Sequence, residues 1–89
     1  MNEQLNHIRQ LINEGHVDTA ISRLNDWLQT ASSPTAEAYY LLGNAYRKKG
    51  DWQGALNNYQ EAIALDPAAE ARNMVMDILN FYNKDMFNQ

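Results

Sequence analysis

The chain has 89 residues, of which 45% are hydrophobic and 20% charged, a composition that fits one small globular domain and leaves no room for a second. It contains no Cys, which excludes disulfides, thiolate metal sites and thiol nucleophiles and agrees with a reducing cytoplasm. Its net charge of -4 argues against the broad basic surface that nucleic acids demand. No run reaches the roughly 18 to 20 apolar residues of a membrane span, and the start lacks the basic-then-apolar order of an export signal. The expectation is a cytoplasmic domain with no nucleic-acid or membrane partner.

In chain order the periodicity and punctuation predict five helices. The first runs from Glu3 to Glu14 and stops at Gly15, a residue that takes a left-handed backbone without steric cost. The second runs from Val17 to Ala31. After the loop Gln29 to Thr35, the third is expected from Pro34 to Lys49, with Ser33 as its cap and Gly50 as its stop. The fourth spans Trp52 to Leu65. Asp66 is then expected to cap a fifth helix from Pro67 to Asn83. The predicted fold class is all-α: two antiparallel helical hairpins plus a C-terminal capping helix.

The two hairpins repeat one pattern. Laying residues 1–34 over 36–69 matches Gly15 with Gly50, Val17 with Trp52, Ala20 with Ala55, Ile21 with Leu56, Leu24 with Tyr59 and Leu28 with Ile63, all at one offset. Internal similarity at a period of 20 to 50 residues dictates a stacked architecture. Within 36–69, Tyr39, Leu42, Gly43, Tyr46, Ala55, Tyr59, Ala62 and Pro67 follow one another as in the tetratricopeptide repeat, which this segment closely resembles. Gly43 and Ala55 lack bulk, so the two helices can approach closely while Tyr39, Tyr46 and Tyr59 fill the space beside them.

Residues 1–34 resemble the same repeat in degenerate form. They keep Gly15, Ala20 and Leu24 but place Gln4 in the aromatic slot, Ile8 in the glycine slot and Trp27 where Ala62 stands. Trp27 is expected to fill a wider gap against the third helix. Residues 70–83 read as the first helix of a third repeat without its partner, with Asn73, Asp77, Asn80 and Lys84 toward the missing helix and 84–89 as a tail. Such a polar outer face is what a terminal repeat requires. The resemblance implies a right-handed solenoid over nearly the whole chain.

Catalytic groups are scarce. His7 and His16 lie nine apart, not at the one-turn spacing of a helical metal pair. Gly43, Gly50 and Gly54 match no phosphate loop, and the Asp residues lack the alternation of a calcium loop. His16 instead suits the start of the second helix, where the other copy has Asp51. The chain is read as non-catalytic, with no cofactor and no metal.

The resemblance also implies that the first helix of each hairpin lines a concave face. That face should carry Leu5, Asn6, Arg9 and Asn13, then Tyr40, Leu41, Asn44, Arg47 and Lys48, then Met74, Ile78, Phe81 and Tyr82. Arg47, Lys48 and Lys49 can be explained equally by the favourable placement of cations at a helix C-terminus. On the groove reading, Arg9, Asn13, Tyr40, Asn44, Arg47, Lys48, Met74, Ile78 and Tyr82 form a docking surface for an extended acidic peptide. Asn44 resembles the groove asparagine of peptide-binding members. Tyr40 and Val75 stand where the chaperone-tail binders of the family have polar clamp residues, so that ligand is not expected. The competing reading is a structural module that forms a homodimer through its last helix, with Met86 and Phe87 adding apolar surface.

Overall fold

The computed structural model describes residues 3–32, 35–67 and 70–87, with side chains to residue 80. Five helices follow one another: α1 (Glu3–Asn13), α2 (Val17–Thr30), α3 (Ala36–Lys49), α4 (Trp52–Leu65) and α5 (Ala71–Phe87). α1 packs on α2 and α3 on α4 as hairpins, α2 also packs on α3, and α4 on α5.

Each hairpin turns on a glycine with positive φ, Gly15 at 91° and Gly50 at 89°. The two turns are built alike. The Gly15 N–H donates to the Ile12 carbonyl (3.0 Å) and that of His16 to Leu11 (2.8 Å), while Gly50 donates to Arg47 (3.0 Å) and Asp51 to Tyr46 (2.9 Å). These paired bonds satisfy the carbonyls left open at a helix C-terminus. The helix starts differ. The Asp51 side chain accepts from the Gly54 N–H at 2.9 Å, but His16, in the same position before α2, makes no side-chain cap. His16 does stand at the start of α2, as expected, but without a side-chain bond. An aspartate there restores the bond its counterpart makes, so His16→Asp should stabilise the protein by about 0.5–1 kcal/mol. That gain would be read as a rise of several degrees in melting temperature.

Two further boundaries depart from the sequence expectation. Thr35 caps α3, its Oγ1 accepting from the Ala38 N–H at 3.3 Å; the expected cap Ser33 and Pro34 lie outside the described residues. Asp66 closes α4 rather than opening α5. It is extended (φ -145°, ψ 98°) and its N–H donates to the Ala62 carbonyl. The physical reason is Pro67, which pushes the residue before it out of the helical region. α5 begins at Ala71, with the Glu70 carbonyl accepting from the N–H of Asn73 (3.0 Å), and it runs beyond Asn83 to Phe87.

α3 stands between two clusters of buried side chains. On one side Leu5, Ile8 and Ile12 of α1 and Ala20 and Leu24 of α2 meet Ala38, Leu41, Leu42 and Ala45. On the other, Ala55, Tyr59 and Ala62 of α4 meet Ala71 and Ile78 of α5, with Tyr39, Tyr40 and Tyr46 packed against them. Gly43 lies under the Tyr59 ring, and a Cβ built on it would stand 2.3 Å from Tyr59 Cε1. In the first hairpin the same two positions hold Ile8 and Leu24, both buried. A medium pair there replaces the small-and-large pair of the second hairpin. Trp27 packs half-buried against the first cluster, which includes α3.

α5 corrects the expected division of its faces. It docks through Ala71, Met74, Val75 and Ile78, a stripe at i, i+3, i+4 and i+7 that one helix can present to one groove. Met76 (58% exposed) and Leu79 (43%) lie off that stripe in solvent, so the outer side is not purely polar.

Candidate functional site

α1 packs beside α3, and α5 packs on α4; residues of α1, α3, α4 and α5 surround one open hollow of ≈ 470 Å³. α1 contributes Arg9, Ile12 and Asn13. α3 contributes Tyr40, Leu41, Asn44, Arg47 and Lys48, and Met74 comes from α5. Trp52, at the start of α4, completes the wall.

Seven of the nine residues assigned to the groove from sequence thus border one space: Arg9, Asn13, Tyr40, Asn44, Arg47, Lys48 and Met74. Ile78 lines a smaller adjoining space with Arg47, Trp52 and Asp77. Tyr82 and Phe81 lie outside the described side chains. Leu5, expected on the concave face, is buried in the first cluster, because its spacing to Ile8 and Ile12 puts it on the core stripe. Asn6 does not border the hollow.

Ile12 and Trp52 border the hollow without being among the residues expected in the groove. Ile12 carries the apolar periodicity of α1, and its edge forms floor. For Trp52 a signal exists: the repeat places it opposite Val17, so an indole stands where packing is satisfied by a far smaller side chain. Asp77, expected on the outer face, borders the smaller space that Arg47 also lines, without an ion pair between them.

The polar groups differ in what they have left to offer. Arg9 Nη2 is paired with Glu37 Oε2 at 2.5 Å, so its charge is already compensated. Lys48 Nζ donates to the Asn13 carbonyl at the end of α1 (3.2 Å), which ties the two hairpins together. Lys49 points elsewhere and pairs with Asp18 at 2.9 Å; that hydrogen bond raises its pKa. Tyr40 donates its hydroxyl to Glu70 Oε2 (3.2 Å), and its ring lies 6.0 Å from that of Tyr59. Asn44 Oδ1 accepts the hydroxyl of Tyr59 at 2.5 Å. Burial pushes that hydroxyl well above the usual tyrosine range, against an opposite pull from nearby Arg47. Tyr59 therefore stays a neutral donor to the Asn44 oxygen, and Asn44 also borders the hollow. Among the described residues the Arg47 guanidinium has no hydrogen bond and no ion pair.

The arrangement can receive acceptors. Arg47, the Asn44 amide and the remaining protons of Lys48 offer donors above a floor of Ile12, Leu41 and Met74. Among the described residues no group of three His, Asp or Glu side chains gathers in a way that could hold a metal ion, and no helix is long and apolar enough to cross a membrane.

Stacked helical hairpins that share one hollow define a helical-repeat protein. The family model for the tetratricopeptide repeat matches residues 36–69. The chain is also similar to protein BF1650 of Bacteroides fragilis, solved in solution by NMR: identity is 59%, the TM-score is 0.80, and the match covers 99% of this chain and 92% of that one. No curated protein matches the sequence. The chain belongs to the tetratricopeptide repeat family, whose members are generally non-catalytic and serve protein interaction.

Proposed function

We propose that this protein is a non-catalytic binding module that receives an extended, acidic protein segment in the hollow between α1, α3 and α5. The observation that carries this reading is the uncompensated Arg47 guanidinium beside the Asn44 amide, above an apolar floor. A charge-assisted hydrogen bond from a guanidinium to a carboxylate is among the stronger polar contacts, and an Asn amide can meet a peptide carbonyl. In this reading residues 1–34 and 36–69 are the two repeats and 70–83 the cap, with Arg9, Asn13, Tyr40, Lys48, Met74, Ile78 and Tyr82 around the segment. A cytoplasmic setting without nucleic-acid or membrane partners belongs to the same reading, in keeping with the cysteine-free, acidic sequence.

Titration of the labelled protein with a blocked acidic peptide, followed by chemical shifts, tests it. Shifts should concentrate on Asn13, Asn44, Arg47 and Met74, and Arg47→Ala should weaken binding about tenfold, the effect of one hydrogen bond to a charged group. Lys49→Ala, which removes a cation already paired with Asp18, should leave binding unchanged. Shifts elsewhere, or equal losses in both variants, would exclude the groove.

A second reading is favoured by the exposure of Leu65 (46%), Met76 (58%) and Leu79 (43%) on α4 and α5. Here the protein is a structural module and α5 pairs with its copy in a homodimer. Sedimentation across a hundredfold concentration range separates the two, since a constant monomer mass removes the dimer.

A further inference from the structure

The space that holds Arg47 is not a single basin. Arg47 and Trp52 border both the large hollow and a smaller one of ≈ 200 Å³, whose other walls are Asp77 and Ile78. The two spaces therefore meet at a ridge made of one guanidinium and one indole. Their chemistry differs. On the larger side stand donors: the Asn44 NH2 group, which no hydrogen bond among the described residues engages while its oxygen accepts from Tyr59, and the Lys48 ammonium. On the smaller side the accessible lining is mostly apolar; Trp52 is 36% exposed, and Ile78, 3% exposed, only closes the floor. Asp77 is exposed there and repels a second carboxylate. An acid is consequently received only on the donor side of Arg47. For scale, an apolar cavity of about 150 Å³ accepts benzene, so the smaller space suffices for one aliphatic side chain.

We propose that this ridge reads two side chains of one bound segment: a carboxylate on the donor side of Arg47, and an uncharged aliphatic side chain between Trp52 and Ile78. In an extended segment every second side chain faces the same floor, about 6.6 Å apart, so the recognised pattern is an acid and an aliphatic residue separated by one position. This rests on the groove reading and narrows its ligand from an acidic segment to an acidic and aliphatic pair.

The test uses the full chain and blocked peptides in which Ser residues flank Asp-Gly-Leu, Asp-Gly-Gly, Asn-Gly-Leu or Asp-Gly-Lys, each also in reversed order. The Asp and Leu peptide should bind at least about tenfold more tightly than the Asp and Gly peptide, as burial of one Leu side chain implies. It should also be the one that moves the Ile78 methyl and Trp52 indole signals together. Trp52→Ala should bring the affinities for the Leu and Gly peptides to within about twofold of one another. Equal affinities for the Leu and Gly peptides, or tighter binding of the Lys peptide through Asp77, overturn the paired readout and leave the groove standing. If no acidic peptide moves the Arg47 signals, the groove reading falls and the pair with it.

Discussion

Gly43→Ala should destabilise the protein by about 2 kcal/mol or more, although alanine is the better helix former by about 1 kcal/mol. The added methyl would stand 2.3 Å from Cε1 and 2.4 Å from Cδ1 of Tyr59, distances at which a ring or a helix must move. Tyr59 is fully buried and its hydroxyl is held by Asn44, so the ring has no cheap escape. The first hairpin indicates the remedy, because there a Leu opposes an Ile. In a Tyr59→Leu background the same Gly43→Ala change should cost little or become favourable. The coupling energy from urea denaturation of the four proteins should then be about 2 kcal/mol. Additive effects would mean that the two positions do not limit one another.

Leu24→Ala should cost about 3–5 kcal/mol, the usual range for emptying a buried leucine site. Leu24 is completely buried and belongs to the cluster that joins α1, α2 and α3. A domain of this size has a total stability of about 5–10 kcal/mol, so this variant should be close to unfolding at 37 °C. Leu79→Ala is the matched control. Leu79 is 43% exposed and outside the docking stripe of α5, so its loss should stay within about 0.5–1 kcal/mol. A large effect at Leu79 in a concentration-dependent unfolding curve would instead favour the dimer through α5.

Local periodicity and turn chemistry were enough to read the fold. Gly15 and Gly50 mark the two turns because few other residues tolerate a φ near 90°, and the shared offset from Gly15 to Leu28 announces stacked hairpins before any contact is known. The family resemblance then placed α1, α3 and α5 along one face, and seven of the nine selected side chains border one hollow. The helix ends were less legible. Asp66 before Pro67 can be read as a cap or as a stop, and only the backbone angles decide between them.

What the sequence by itself determined is the repeating hairpin and its glycine turns, because each depends on residues at fixed short separations or on one period. Tertiary structure alone decided which charges remain available. Arg9, Lys48 and Lys49 find Glu37, Asn13 and Asp18 at separations of 28, 35 and 31 residues, which no local pattern encodes. It also set Asp77 at the edge of the smaller space and left Met76 and Leu79 in water. The rotation of a helix about its own axis is set by the groove it docks into, not by its sequence in isolation.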